Sequence, residues 1–195
     1  MSRVRTAVLI SGRGSNMDAL IRAAQDPAYP AEIVLVVANN PDAGGLAKAA
    51  AEGIETAAID HRPFGKDRES HERMIDARLR QSGVELVALA GYMRVLTPFL
   101  VRAWAGRMLN IHPSLLPLYP GLHTHERAIA SGDAFCGCTV HYVTEGVDEG
   151  PILGQASVAI TPGDTPDDLA LRVLTLEHRL YPDCLAKAAE AVRGP

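Results

Sequence analysis

The sequence has few of the features that mark several common protein classes. It holds three cysteines among 195 residues, an odd number, and Cys136 and Cys138 lack the Cys-x-x-Cys spacing of zinc and redox sites. We therefore predict buried, reduced thiols. Its longest apolar runs, residues 33–38 and 86–90, fall far short of the roughly 20 residues that a membrane-spanning helix needs. We predict no transmembrane segment.

The sequence also lacks an excess of positive charge. A formal net charge of -4 gives no broad cationic surface for nucleic acid or for an anionic membrane, so any bound phosphate should be small and locally held. The segment after Arg3 and Arg5 is strand-like and reaches Gly12 too soon for the apolar region of a signal peptide. We expect a cytoplasmic protein, monomer or homodimer, whose partners are small molecules.

Hydrophobic and charged residues make up 47% and 22% of the chain, which is typical of a single globular domain, residues 1–195. Short β-branched or leucine-rich runs alternate with longer, alanine-rich and charged segments, the pattern of βαβ units. This predicts an α/β, Rossmann-like fold with a mostly parallel central sheet and helices on both faces. We predict strands at 5–10, 33–39, 56–59, 86–90 and 108–112, and helices at 16–25, 46–52 and 67–81.

The second half of the chain changes character. Residues 138–144 and 152–160 both alternate, with a glycine-rich turn between them, so we predict an antiparallel pair. A helix should follow from 165 to 181, and Pro182 should kink or interrupt it. In the helix at 67–81, the pattern predicts that Met74, Ile75 and Leu79 face inward and that Glu69, Glu72, Arg73 and Arg80 face water.

A glycine-rich loop, residues 11–16, follows the first strand and opens a helix. Free backbone N–H groups and the positive end of the helix dipole suit a phosphate there. Met17 stands where a dinucleotide fingerprint has its third glycine, which disfavours NAD. The alternative is a simple glycine turn in which Ser15 or Asn16 caps the helix.

Asn110 and His112 lie two residues apart at the end of a predicted strand, so both side chains should point to the same side. Acyl transfer to an amine passes through a tetrahedral species with a negative oxygen, which an amide N–H and a protonated imidazole can stabilise. Asp148 lies in an acidic, glycine-containing loop and could reach the imidazole, favouring its charged form and relaying a proton. Alternatively, His112 is a structural residue and the loop is merely solvated.

Four segments together carry a resemblance to a known family: 11–16 (SGRGSN), 91–96 (GYMRVL), 110–117 (NIHPSLLP) and 119–125 (YPGLHTH). They resemble phosphoribosylglycinamide formyltransferases, and the resemblance runs from the first strand to Glu177. It implies transfer of a formyl group from 10-formyltetrahydrofolate to the amine of 5'-phosphoribosylglycinamide in purine synthesis, without a metal. It also implies a ribotide-phosphate-binding N-terminal half and a folate-binding, catalytic C-terminal half.

The same resemblance assigns residues to roles. Asn110 and His112 would stabilise the oxyanion, with His112 as proton donor and Asp148 assisting it. The ribotide would be bound by Gly14, Ser15, Asn16 and Glu177. The folate would be bound by Arg68, Met93, Arg94, Val95, Leu96, Asn110, Thr144, Glu145, Gly146, Val147 and Asp148. Residues 93–96 would act through backbone hydrogen bonds to the pterin, and Arg68, near the glutamate tail, could instead be simply solvated.

Several alternatives stay open. His123 and His125, with Glu126 and Asp133, could suggest a metal site. A formyltetrahydrofolate hydrolase would use the same trio on water, although the expected N-terminal regulatory domain is missing. Transfer to methionyl-tRNA would call for a C-terminal domain and a basic surface. A non-catalytic folate or nucleotide-binding module would explain the glycine-rich loop but not the trio.

We also make predictions for Leu118 and for four further histidines. Leu118 replaces a basic residue that we expect in many relatives, which leaves less positive charge near the cleft. His141, on the predicted strand 138–144, should orient or fill the site rather than catalyse. His61, His71 and His178 should be surface or packing residues.

Overall fold

The computed structural model describes residues 2–194. Met1 and Pro195, the ends of the predicted 1–195 domain, lie outside the described residues. The strands are β1 (Val4–Ile10), β2 (Ala31–Ala38), β3 (Glu55–Ala58), β4 (Leu86–Leu89), β5 (Met108–His112), β6 (Phe135–Tyr142) and β7 (Ile152–Ala159). The helices are α1 (Ser15–Ala24), α2 (Gly44–Ala51), α3 (Arg68–Gln81), α4 (Pro98–Ala103), α5 (Thr124–Ala130) and α6 (Pro166–Arg193), with a 3-10 turn at Arg62–Phe64.

The seven strands form one sheet in the order β3-β2-β1-β4-β5-β6-β7. The pairs from β3 to β5 are parallel, whereas β6 runs antiparallel to both β5 and β7. The predicted mostly parallel sheet with an antiparallel C-terminal part is therefore confirmed. The strand order reverses between β1 and β4, and ligands bind at such switch points, beyond the carboxyl ends of the strands.

Helices cover both faces of the sheet, as predicted. Side chains of β1, β2 and β4 point alternately to two apolar clusters because successive residues of a strand face opposite ways. One cluster packs under α1 and α6 and includes Leu20 and Tyr181. The other packs under α3 and α4 and includes Leu79 and Trp104. The two cores fix the plane of the sheet and hence the positions of the loops at its carboxyl edge.

Two predictions for α3 are wrong. Met74 is 55% exposed, whereas Glu72 is 2% exposed. Glu72 is buried because its carboxylate accepts hydrogen bonds from the backbone N–H and the hydroxyl of Thr97, just before α4. A partner distant in sequence thus satisfies a charge that helical periodicity alone assigns to water.

Pro182 does not interrupt the last helix, since α6 continues from Pro166 to Arg193. A proline within a helix costs about 3 kcal/mol or more through a lost hydrogen bond and a ring clash. Buried side chains on both sides of it, Leu169 and Val173 before and Leu185 and Ala189 after, outweigh that cost. Tertiary packing therefore overrides the local signal.

Candidate active site

Asn110 and His112 project from the end of β5 towards β6. In the antiparallel register, Asn110 is paired with His141 and His112 with Thr139. The Nδ2 atom of Asn110 lies 3.3 Å from Nε2 of His141. The imidazole of His141 is therefore part of the same side-chain group, on the side of the sheet where the strand alternation places Asn110 and His112 together.

Asp148 closes this group from the loop between β6 and β7. Its Oδ2 lies 3.3 Å from Nδ1 of His112, and its Oδ1 lies 3.7 Å from Nε2 of His141. The same Oδ2 accepts a hydrogen bond of 2.9 Å from the backbone N–H of Gly121. The structure thus brings together Asn110, His112 and Asp148, which sequence reasoning selected from distant segments.

The surroundings of Asp148 favour its ionised form. Burial is the largest single influence and raises the pKa of Asp148, but other influences together lower it below its usual value. These are the hydrogen bonds from His141 and from the Gly121 N–H and the charges of the imidazoles of His112 and His141. A carboxylate held between two imidazoles can stabilise a positive charge on either ring.

The other nitrogen of the His112 ring contacts the backbone. Its Nε2 lies 2.9 Å from the carbonyl oxygen of Tyr119. Because a carbonyl oxygen can only accept, Nε2 carries the proton in this contact. Nδ1 faces the Asp148 carboxylate, which also accepts when ionised. A ring with a proton on each nitrogen satisfies both neighbours, and this is the acid form that can stabilise a negative oxygen.

Tyr119 is itself held from two further directions. Its hydroxyl donates to Oδ2 of Asp133 at 2.7 Å, and the guanidinium of Arg127 lies 5.0 Å from the centre of its ring. Its backbone adopts a left-handed conformation, with φ of 56°. The carbonyl that contacts His112 is therefore fixed by side-chain interactions on the other side of the loop.

The glycine-rich loop after β1 leads into a helix that has no side-chain cap. Gly14 is the N-cap of α1, in a left-handed conformation with φ of 70°, and neither Ser15 nor Asn16 caps the helix. The N–H groups of Gly14, Ser15 and Asn16 donate to no protein group within residues 2–194. They are available to an anion, which is favoured at a helix N-terminus.

Asn16 reaches across to the last helix instead. Its Nδ2 donates to Oε2 of Glu177 at 2.7 Å, and both residues are buried. Burial raises the pKa of Glu177, and the hydrogen bond from Asn16 opposes this without cancelling it. The Oδ1 atom of Asn16 is buried and finds no partner in the described part of the chain, so it can accept a hydrogen bond from a ligand.

The loop after β4 is held in place at three points. The N–H of Met93 donates to Oγ of Ser11 at 2.8 Å, Arg68 donates to the carbonyl of Val95 at 3.1 Å, and Thr97 donates to Glu72. The N–H groups of Arg94, Val95 and Leu96 donate to no group among residues 2–194. These three amides can bind a polar ring edge, whereas the N–H of Met93, predicted with them, is already bonded to Ser11.

The loop before β7 lies on the other side of the β5 end. Glu145 forms an ion pair with Arg102, with Oε1 and Nε 2.6 Å apart, so its carboxylate points to α4. Asp148 adopts a left-handed backbone conformation, with φ of 55°, and turns its side chain inward. Thr144 is exposed, Gly146 half-buried and Val147 53% exposed, which leaves this edge of the loop open to a ligand.

The histidines at 123 and 125 do not converge on a metal site. His123 pairs with Glu126 at 2.8 Å, and Asp133 bonds to Tyr119. Within residues 2–194, no group of three or more His, Cys, Asp or Glu side chains could hold a metal ion. Leu118, next to this loop in the sequence, is 52% exposed.

The contacts of three residues at the centre of the site were missed or underweighted from sequence. His141 bridges Asn110 and Asp148, the carbonyl of Tyr119 contacts His112, and the N–H of Gly121 contacts Asp148. The register between β5 and β6 could have indicated His141, since it places that residue opposite Asn110. The two backbone contacts depend on the path of residues 113–123, for which the sequence holds no signal.

An amide donor, an imidazole and a carboxylate around one strand end, with free amides on either side, suit the stabilisation of a negative oxygen in the transfer of a small acyl group. The family model described as formyl transferase matches residues 4–185. The chain belongs to the phosphoribosylglycinamide formyltransferase family. It is 45% identical over 175 residues to the phosphoribosylglycinamide formyltransferase of Escherichia coli K12, covering 90% of this chain and 82% of that protein.

The solved structures give the same result. The crystal structure of phosphoribosylglycinamide formyltransferase from Brucella melitensis superposes with a TM-score of 0.92 at 55% identity, covering 96% of each chain.

The trifunctional purine biosynthetic protein adenosine-3 of Drosophila melanogaster is 48% identical over 186 residues. That match takes 94% of this chain but 14% of the fly protein, so the chain spans a small part of such relatives. None of the helices within residues 2–194 is long and apolar enough to cross a membrane.

Proposed function

We propose that the protein transfers the formyl group of 10-formyltetrahydrofolate to the amine of 5'-phosphoribosylglycinamide, in the cytoplasm, as a step of purine nucleotide synthesis. The products are formylglycinamide ribotide and tetrahydrofolate. The observation that carries the proposal is the continuous contact from Asn110 through His141 and Asp148 to His112 at the end of β5. Family membership supplies the substrates, and this contact supplies a mechanism.

The chemical step forms one bond and breaks another. The amine nitrogen bonds to the formyl carbon, and the bond from that carbon to the folate nitrogen breaks. Between the two events the formyl oxygen carries negative charge. We assign its stabilisation to the side-chain amide of Asn110 and to the positive charge of the protonated His112 ring, because both side chains lie on the same side of β5. The proton lost by the amine returns to the folate nitrogen, and His112 with Asp148 carries it.

The ribotide phosphate is assigned to the N-terminus of α1. The free amides of Gly14, Ser15 and Asn16 and the positive end of the helix dipole suit a phosphate without a cluster of lysines. Asn16, in the first turn of α1, donates to Glu177 of α6, and its amide oxygen has no partner among residues 2–194. We assign this pair to polar groups of the same substrate.

The folate is assigned to the cleft between the loops at 93–97 and 144–148. The three free amides of Arg94, Val95 and Leu96 would bind the pterin edge, and Arg68, which reaches the same loop, would lie near the glutamate tail. Thr144, Glu145, Gly146, Val147 and Asp148 would form the opposite wall. We propose that the partners are these two small molecules, with the chain acting as a monomer or homodimer and with no nucleic acid or membrane involved.

The test follows the formyl carbon. Purified protein is mixed with 10-formyltetrahydrofolate labelled with ¹³C in the formyl group, with and without phosphoribosylglycinamide, and the products are resolved by mass spectrometry. We expect label in formylglycinamide ribotide only when the ribotide is present. Release of labelled formate without ribotide would instead support a hydrolase, and no consumption of the donor would support a binding module.

A further inference from the structure

Ser11 stands between the two loops assigned to the two substrates. It is the first residue after β1, directly before Gly12 of the glycine-rich loop, and its side chain points across the switch point of the sheet. Its Oγ accepts a hydrogen bond from the N–H of Met93 at 2.8 Å. The loops after β1 and β4 are therefore joined by one side chain, although 82 positions separate these residues in the sequence.

Asn39 orients the Ser11 hydroxyl. The Oγ of Ser11 donates to Oδ1 of Asn39 at 2.6 Å, so a lone pair of the same oxygen is directed to Met93. Asn39 is 4% exposed and follows β2 directly. Its carbonyl accepts from the backbone N–H of His61 at 3.2 Å and from the ring Nδ1 of His61 at 2.8 Å. The support for Ser11 is thus anchored at the ends of two further strands.

Met93 is held through its backbone N–H and not through burial of its side chain. Its side chain is 74% exposed, and the next three amides along the chain are free. The Ser11 bond fixes the peptide plane that precedes these amides, which lie between this contact and the bond from Arg68 to Val95. Without the Ser11–Met93 hydrogen bond, the backbone of residues 93–95 would be held only by the bond from Arg68 to Val95 and could rotate about it.

We propose that Ser11, oriented by Asn39, is a positioning residue for the formyl donor: it holds the Met93 N–H so that the next three amides face the folate cleft. The proposal rests on the proposed function in naming folate as the ligand. The hydrogen bond itself is independent of that assignment. Ser11 does not touch the reacting atoms in this account and acts through the backbone of residues 93–96.

The first experiment needs no substrate. Amide hydrogen exchange measured by NMR should show Met93 protected at least tenfold more than Arg94 and Val95 in the same loop, because its N–H is bonded and theirs are free. Ser11→Ala should remove that protection, and Ser11→Thr, which keeps the hydroxyl, should retain most of it. A Met93 amide that exchanges as fast as Arg94 in the native protein would overturn the proposal whatever the protein catalyses.

The second experiment separates positioning from a general structural role. Loss of one such hydrogen bond is worth about a tenfold change in affinity. We expect Ser11→Ala to raise the KM for 10-formyltetrahydrofolate about tenfold and to change the KM for the ribotide less than twofold. Ser11→Thr should restore the donor KM to within threefold of the native value. Thr175→Ala, a hydroxyl loss on the exposed side of α6, is the control and should change neither constant.

A double-mutant cycle tests the role of Asn39. If Asn39 acts by orienting the Ser11 hydroxyl, Asn39→Ala should raise the donor KM in the native background and add nothing in the Ser11→Ala background. Additive effects would overturn the assignment of Asn39. A folded Ser11→Ala protein with native donor KM would overturn the positioning role, whereas absence of formyl transfer by the native protein would count against the proposed function alone.

Discussion

At the scale of single residues, the site consists of hydrogen-bond donors whose positions are fixed before any substrate arrives. Asn110 is held by its strand and by the contact with His141. A donor that is fixed in advance stabilises developing charge without reorganisation, and this makes it effective in catalysis. The consequence is that losing one such group should affect rate far more than stability.

Replacing Asn110 with Ala tests this directly. We expect kcat to fall by about 10²-fold or more, because removal of one oxyanion donor costs that much in comparable sites. The melting temperature should change little, since Asn110 is half-buried and makes a single side-chain contact. Steady-state kinetics and thermal unfolding give the two numbers. A kcat within threefold of native would exclude Asn110 as an oxyanion donor.

His112 and Asp148 should behave as one unit. Their side chains are 3.3 Å apart, and the carboxylate is proposed to act through the imidazole. We therefore expect His112→Ala and Asp148→Ala each to reduce kcat strongly, and the double variant to be about as slow as the slower single variant. The measurement is kcat for all four proteins. Losses that multiply in the double variant would show independent roles.

Glu177 gives a prediction about pH. Burial raises its pKa above the usual value of 4.5, so the folded protein binds this proton more tightly than the unfolded chain. The stability contributed by that proton is present below pH 4.5 and is lost as pH rises through the folded-state pKa. We expect Glu177→Gln, which can still accept from Asn16, to melt at a higher temperature than native at pH 7.

The comparison should be repeated at lower pH. The advantage of Glu177→Gln should shrink as the pH approaches 4.5, where the native side chain becomes protonated. Thermal unfolding from pH 4 to pH 8 checks it, and a difference that does not change with pH would contradict burial as the cause. The same substitution should weaken ribotide use, since the carboxylate is proposed to contact that substrate.

How far the sequence predicts the site differs from residue to residue. Period-two alternation places Asn110 and His112 on one side of a strand, and the structure agrees because β5 is regular over those residues. The contact of Asp148 with His112 can also be inferred, but only when the loop between β6 and β7 is known to fold back over the end of β5. The Tyr119 carbonyl could not be predicted, because a backbone group has no residue identity and its direction depends on a left-handed turn.

At the scale of elements, the last helix carries Glu177, which accepts a hydrogen bond from Asn16 at the start of α1. It begins with a capping box: the Thr165 side chain accepts from the N–H of Asp168, and the Asp168 carboxylate accepts from the N–H of Thr165. Reciprocal bonds of this kind satisfy amides that the first turn leaves free. They define where α6 starts and so help to set the position of Glu177, three turns further on.

Removing the Thr165 cap should lower the free energy of unfolding by an amount typical of helix caps. We expect Thr165→Ala to lower the free energy of unfolding by about 1 kcal/mol, the usual cost of losing a threonine cap. Thr175→Ala, in the interior of the same helix, should change it by less than about 0.5 kcal/mol. Urea denaturation measures both. Equal effects from the two substitutions would mean that the cap contributes nothing specific.

Element boundaries show where sequence patterns stop being informative. The predicted strand at 138–144 is in fact Phe135–Tyr142, since pairing with β7 continues to Phe135, before the alternation becomes visible. Pro182 marks a helix end by local rules, yet α6 passes through it because buried residues lie on both sides. In both cases the deciding contacts come from other elements, which a local pattern does not contain.

At the scale of the whole molecule, the sheet separates two cores that share no side chains. Leu20 of α1 is fully buried in one, and Leu79 of α3 is fully buried in the other. Each replacement by Ala should lower the free energy of unfolding by about 2 to 5 kcal/mol, from lost burial and a residual cavity. Because the sheet lies between them, the double variant should show the sum to within about 0.5 kcal/mol.

Urea denaturation at one temperature gives the losses in free energy of unfolding for the two single variants and the double variant. A double-variant loss that differs from the sum by well over about 0.5 kcal/mol would show that the two cores are energetically coupled through the strands. The result matters for the site, because the loops that we assign to the two substrates leave the sheet at its carboxyl edge. Independent cores would mean that a destabilising substitution on one face leaves the positions of those loops unchanged.

The overall architecture was the most predictable feature. Alternating short apolar runs and longer charged segments indicated parallel βαβ units, and the two alternating segments near the end indicated an antiparallel pair, both of which the sheet contains. The strand order itself does not follow from pattern alone. It depends on which edges pair and which side each crossover takes, and these are decided by long-range packing.

The hydrogen bond between Asn16 and Glu177 joins groups 161 positions apart, close to the two ends of the chain. During synthesis, the glycine-rich loop and the strand bearing His112 leave the ribosome long before the segment with Glu177 follows. A chain without this segment would hold Asn110 and His112 but only one side of the proposed ribotide pocket. The proposed ribotide pocket is therefore complete only once the segment that carries Glu177 has been synthesised and has packed against α1.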